Sequence, residues 1–365
     1  MAVSTLDNAA NRPAGASFAG QASRLDAELK RAGLNFRDMR REQQLELQLI
    51  GPGVERESSG RSKQVPIERL EGPIAALPVA TPAWEPSRLR YFLDGSQRTL
   101  PAYLIGAVPV IASVAAAAIL ERDERGEGRI MPGMLRLKHT WLVPMRLSET
   151  APFVEVVERL GMDIADPLGH LTKNDDYSEA AGDYARLIEL GHGAANKARS
   201  ALEDDLLLSW SGAAERAADD GWILVDGTLR LPAPKAVGLV KSFTRQYLSG
   251  ADATCLFGLP PGHRTTAFRA ADGWRPEVAM WFLRFRDAAG RDARHSLVRI
   301  EIAPAEAEAA RIDELSSWLM GERVPRATAD ARWATLLYPV HYLERILKRY
   351  VDADTRGWPG ARAGV

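Results

Sequence analysis

Two aspartates stand 132 positions apart in the same setting. Asp94 closes the run "YFLD" and is followed by Gly95 and Ser96; Asp226 closes "ILVD" and is followed by Gly227 and Thr228. Each run is apolar and of strand length. A carboxylate at its end is costly to bury unless it is solvated, paired or bound to a cation. Carboxylates converging from neighbouring strand ends supply the oxygen ligands that Mg²⁺ or Mn²⁺ takes. A site of that kind can activate water and stabilise the departing oxygen of a phosphodiester. The plainer reading is that both doublets are turns. Glycine takes positive φ, aspartate caps its own turn, and the chain has 30 glycines.

Further residues extend the chemical reading. The segment "KARSALEDDLLLSW", 197–210, offers Glu203, Asp204 and Asp205 on a predicted helix just before the second aspartate strand. Arg199 lies four residues before Glu203, on the same helix face. Glu203 is the choice for the third acid, although spacing does not separate it from its two neighbours, and a surface ion pair explains the same pattern. Lys241 ends the strand "AVGLVK" and offers a cation to a departing oxygen. Arg98, Arg245 and Arg264 are the candidates for phosphate contacts that hold a nucleic-acid backbone without reading its sequence. The aromatics of "MWFLRF" alternate and fit core packing better than base stacking.

Placing such residues requires a sheet. The chain has 365 residues, 46% of them apolar, which suffices for one large domain or two modest ones. The net charge of -1 announces no global basic field, so any nucleic-acid contact must be local. The single cysteine, Cys255, excludes an internal disulfide framework and a cysteine-rich zinc site. The first residues lack the basic and apolar regions of a secretory signal, so a cytoplasmic protein is expected. The uncharged run 100–120 is long enough for a membrane span, but Pro101, Gly106 and Pro109 interrupt it and its first half favours strand. It reads as strands buried on both faces, or a strand and a buried helix. Strands are expected at 89–94, 222–226 and 236–243, with a hairpin over 277–304. Helices are expected over 21–50, 151–162, 179–212, a segment opening at Pro304, and a final stretch beginning "YPVHYLERI". The order suits a mixed α/β sheet flanked by helices.

At this point the chain resembles the NurA-type nucleases. "FLDGSQR", "ARSALEDDLL", "WILVDGTL", "AVGLVKS", "LVRIEI" and "YPVHYLERI" follow one another in that family's order, over roughly 88–350. The resemblance implies an RNase H-like sheet with helices, a Mn²⁺ or Mg²⁺ site and cleavage of DNA. It also implies a homodimer docked on a HerA-type hexameric DNA-translocating ATPase, in DNA end processing or antiphage defence. By matching, Asp94 and Asp226 are strand metal ligands and Glu203 is the helix ligand. Lys241 is the basic residue of the following strand, and Arg299 and Glu301 are the late polar pair. The family's histidine of the last helix falls near Ile346 here; His341 or Glu344 takes its place, or the site is altered.

The chain is expected to divide into a disordered tail (1–20), an N-terminal helix and linker (21–85), a nuclease domain (86–352) and a C-terminal tail (353–365); the resemblance covers the nuclease domain and not the first 80 or so residues. Leu25, Leu29 and Phe36 of the N-terminal helix are candidate anchors for a partner, unless that helix packs on its own domain. Removing 1–50 is therefore expected to weaken assembly more than metal binding. A rival reading is a catalytically weakened adaptor in which the doublets are only turns. Another is an RNase H-like enzyme acting on RNA or a hybrid.

Overall fold

A computed structural model describes residues 18–33, 39–41, 65–80, 87–213, 219–243, 245–270, 277–289, 293–323 and 333–356. The protein is α/β, with a large mixed sheet flanked by helices. Three long antiparallel strands form one half: β4 (Leu89–Ile105), β5 (Val108–Arg122) and β6 (Gly128–Leu142). The other half adds β8 (Trp222–Asp226) parallel to β4, β9 (Ala236–Val240) parallel to β8, and the antiparallel hairpin β13 (Leu297–Ile302) and β12 (Ala279–Arg284). Three-residue strands finish that flank. β2 (Ile67–Arg69) pairs β11 (Phe268–Ala270), and β3 (Ala76–Pro78) pairs β10 (His263–Thr265). β1 (Met39–Arg41) pairs the far end of β4, and β7 (Ile164–Ala165) lies beside β6.

Alternation along the strands divides the core in two. Phe92, Leu224, Leu239 and Ile300 face one layer, while Tyr91, Leu93, Ile223 and Val225 face the other. The first layer holds α1 (Phe18–Arg31), α2 (Ala151–Arg159), α6 (Ala309–Glu322) and α7 (Tyr338–Thr355). The second holds the C-terminal half of α4 (Tyr184–Ser211) and α5 (Gly250–Phe257). Asp183 caps α4 by accepting from the Arg186 N–H at 3.0 Å. Pro339 opens α7, where its missing N–H has no intrahelical role.

The uncharged run 100–120 is indeed strand, split into β4 and β5 by a hairpin whose Gly106 takes φ +58°. β5 is buried along both faces from Val108 to Leu120. No helix among the described residues is long and apolar enough to cross a membrane.

Several expectations need correction. The strand expected at 89–94 runs on to Ile105. Gly95 does not take positive φ, and pairing with β5 continues unbroken from Tyr91 to Pro101. The helix expected over 21–50 is seen as Phe18–Arg31; Gly33, at φ +80°, follows it, Met39–Arg41 is strand, and the rest of the expected stretch lies outside the described residues. Phe36 lies outside the described residues, as does most of the 1–20 tail. Leu25 and Leu29 are buried in this chain's own core, so they are not exposed anchors for a partner. Residues 67–78, expected as linker, supply two strands to the sheet. α7 extends past 352 into the expected tail, where Asp354 meets His139 and Thr355 meets Arg98.

Candidate functional site: an acid cluster where β8 ends

The register brings the two aspartates together. β4 and β8 run parallel, with Phe92 beside Leu224 and Leu93 beside Val225. The next residues on each strand are Asp94 and Asp226, so they are neighbours. Both fall on the face of Phe92 and Leu224, the face covered by α7. β8 stops there, while β4 continues. Gly227 leaves the strand at φ +119°, and its N–H donates to the Leu239 carbonyl at 2.9 Å.

Lys241 follows β9 on the same face and donates from Nζ to Asp226 Oδ2 at 2.6 Å. Asp94 Oδ1 accepts from the Gly95 N–H at 2.7 Å. Burial drives the Asp94 carboxyl well above its ordinary range. Asp226, Glu203 and Glu344 push in the same direction, and Lys241 opposes them. Glu344 reaches this cluster from α7, one turn after the buried Val340 and one before Leu347. His341 Nδ1 stands 4.0 Å from Glu344 Oε2, and this buried nitrogen has no hydrogen-bond partner among the described residues.

Glu203 occupies the other face. Of the three candidate acids on α4, Glu203, Asp204 and Asp205, only Glu203 turns inward, at 2% exposure. Asp204 pairs with Arg230 at 3.0 Å, and Asp205 pairs with Arg136 at 3.2 Å. Glu203 is clamped between Arg199 and Arg230, the latter at 2.9 Å. Its carboxyl is raised by burial, with both arginines opposing. Gly95 sits directly beneath it: a Cβ at Gly95 would collide with Glu203 Oε1 and come within 2.9 Å of Arg199 Cγ. Gly95 and Asp94 point to opposite faces of β4. The structure therefore places Asp94, Asp226 and Lys241 on one face, with Glu344 on α7 near enough to act on the Asp94 charge, and Glu203 on the other side of β4, from where it acts on Asp94 at least as strongly as Glu344 does. Glu203 is electrostatically coupled to both aspartates; what sequence spacing could not give is the face of the sheet from which α4 presents it.

The remaining predicted residues have other employments. Arg264 is 1% exposed and bound to Glu71 and Asp313 at 2.7–2.9 Å. It is a buried cross-link and presents nothing to a DNA backbone, which corrects its assignment as a phosphate contact. Arg98 reaches Asp352 at 3.1 Å and Thr355 at 3.3 Å on α7. Arg245 is half-buried, 5.4 Å from the Tyr247 ring centre. Arg299 and Glu301 are buried as a pair at 2.8 Å, and Glu301 Oε2 accepts from the Leu229 N–H at 3.0 Å. The pair thereby fixes the loop that follows Asp226. Arg230 was missed by sequence reasoning; its signal was a lone cation four residues after Asp226.

Among the described residues, no group of three or more His, Cys, Asp and Glu side chains is arranged to hold a metal ion. Lys241 engages Asp226, and Glu203 is turned to its arginines. The donor chemistry still fits a hard divalent cation. Asp94, Asp226 and Glu344 carry the carboxylate oxygens such a cation takes, and at Asp94 the repulsion from Asp226 outweighs the attraction of Lys241. Cavities of about 550 Å³, beside Ile67, Arg69 and Tyr247, and about 260 Å³, beside Gln21 and His139, lie elsewhere and are lined by none of these acids. Compared with protein-family models and with curated proteins, the chain matches none.

Proposed function

We propose that the protein is a divalent-metal-dependent DNA nuclease of the NurA type. The observation that carries this reading is the side-by-side placement of Asp94 and Asp226 at the end of β8, with Lys241 bound to Asp226 and the charge of Glu344 acting on Asp94. The strand order lends support: three antiparallel strands, then β8 parallel to the first and reached through α4, then β9. That is the arrangement expected of an RNase H-like sheet.

Asp94 and Asp226 would hold Mn²⁺ or Mg²⁺, with Glu344 as third acid in place of Glu203. The cation would supply Lewis acidity and a more acidic water. The chain's own residues do the rest. The Gly95 N–H fixes one oxygen of Asp94. Lys241 sets a positive charge beside Asp226, where a departing oxygen develops negative charge. His341, whose Nδ1 is 4.0 Å from Glu344 Oε2 and so outside hydrogen-bond reach of it, would be the imidazole available to move a proton at the cluster's edge. Glu203, held by two arginines, steadies α4 against β4 and shapes the local field. DNA, a second copy of the chain and a HerA-type ATPase are the proposed partners, in DNA end processing or antiphage defence in the cytoplasm.

The test is degradation of linear and circular DNA with and without Mn²⁺ and the ATPase. Asp94→Ala and Asp226→Ala are expected to abolish Mn²⁺-dependent degradation, and Glu344→Gln to reduce it by at least tenfold. Full activity in a folded Asp94→Ala protein would overturn the reading. One observation favours the adaptor reading instead: Lys241 already neutralises Asp226. An adaptor would dock on the ATPase and show no Mn²⁺ response.

A further inference from the structure

Given the metal-dependent reading above, on which this rests, we propose that the acid cluster takes a single divalent cation, because Lys241 already fills the place of a second one on Asp226. Each aspartate has one oxygen committed. Asp94 Oδ1 accepts from the Gly95 N–H at 2.7 Å, and Asp226 Oδ2 accepts from Lys241 Nζ at 2.6 Å. The other oxygen of each has no hydrogen-bond partner among the described residues. Asp94 is only 5% exposed, so its second oxygen is a buried acceptor that calls for a partner. The register sets the two aspartates side by side. Two open carboxylate oxygens on adjacent strands make a pair of ligands for one hard cation, with water completing its shell.

A second ion would have to stand about 3.5–4 Å from the first. It would draw on Asp226 Oδ2, where the ammonium of Lys241 already sits. That ammonium is not easily displaced. The Lys241 side chain is 7% exposed, and a buried cation moved off its carboxylate is left unpaired. The other carboxylates near the cluster are matched as well: Glu344 carries Lys348 at 2.9 Å, and Glu203 carries Arg199 and Arg230. With both aspartates ionised, two carboxylates less one ammonium leave a single net negative charge. One divalent cation turns this into a single positive charge. Two would turn it into three, in a site that is largely dry. In hydrolysis the ammonium then takes the second ion's part and steadies the departing oxygen.

The experiment is a Mn²⁺ titration of the full chain, stripped with chelator and dialysed, followed by electron paramagnetic resonance. Binding removes the signal of free Mn²⁺, and two ions held close together show spin coupling. The wild-type chain is expected to bind one Mn²⁺ that Asp94→Ala does not bind, without coupling. Lys241→Met removes the charge and keeps an unbranched side chain; it is expected to bind two and to show coupling. Lys241→Arg keeps the cation and should stay at one. Circular dichroism checks each fold. A coupled pair in the wild-type chain would overturn the proposal, whether or not Lys241→Met folds. So would a folded Lys241→Met protein that still binds one ion. No Asp94-dependent Mn²⁺ at all would remove the metal site, and the nuclease reading with it. One Asp94-dependent Mn²⁺ in a chain that degrades no DNA would sink the nuclease reading while sustaining the single-ion site.

Discussion

Asp94 carries its charge under strain from three acids and a dry environment, and the pH dependence follows from that. Its carboxyl titrates well above the ordinary 3.8, chiefly through burial and then through Asp226. The folded chain therefore holds this proton at pH values where the unfolded chain has lost it. Stability must fall as pH rises from about 3.8 to the raised value, and stay reduced above it. Asp94→Asn removes that loss. It is expected to raise the melting temperature at pH 8 in chelator and to bring no gain at pH 4; a gain of equal size at both values would contradict the assignment. The neighbouring glycine tells a complementary story. Replacing a mid-strand glycine by alanine ordinarily gains about 0.5–1 kcal/mol. At Gly95 the new methyl would strike Glu203, which two arginines hold in place, so overpacking at about 1–3 kcal/mol wins. Gly95→Ala should lower stability in urea denaturation, and Glu203→Ala in the same chain should recover part of it. Both aspartates and Lys241 were readable as chemistry from their places at the ends of apolar runs. The two glycines were not separable: Gly227 serves a turn, whereas Gly95 makes room for a side chain arriving from α4.

Helices set which of these side chains meet. Arg98 on β4 meets Asp352 and Thr355 on α7, and α7 packs along β4 and β5; the same packing brings Glu344 near enough to act on the charge of Asp94. The Arg98–Asp352 pair is partly exposed and contributes little, about 0–1 kcal/mol. This packing is held by Val340, Leu343, Leu347 and Val351. α1 is likewise held by burial. Leu25→Ala or Leu29→Ala should cost about 2–5 kcal/mol each in chemical denaturation. Removing 1–50 should then lower the stability of the fold, beyond any effect on assembly. Elements with clean periodicity were readable: β8, β9, the β12–β13 hairpin, α2 and α7. β6 was hidden by its Arg and Lys residues and interrupting Pro132 and Gly133. β10 and β11 have three residues each, too few to show alternation.

Across the whole molecule, the sheet collects strands from residue 39 to residue 302, so the acid cluster is built by segments remote in sequence. Cation binding should act on all of it at once. If Mn²⁺ binds the folded chain, saturation to 100 times the dissociation constant adds about 2.7 kcal/mol to stability. Thermal unfolding is expected to shift upward with Mn²⁺ in the wild-type protein and not in Asp226→Ala; identical shifts would place the ion elsewhere. The mixed α/β class was readable from element order, because apolar strands bracket a long helical stretch. Which helix covers which face was not, and that decides between Glu203 and Glu344. One feature of the fold carries this further. At Gly95 only a peptide plane separates the carboxylate of α4 from the aspartates, and Glu203 and Asp226 each raise the other side's affinity for protons. The two layers are thus electrically a single device: whatever ligand or protein draws Arg199 or Arg230 away from Glu203 adds uncompensated negative charge behind the sheet and makes the front harder to ionise.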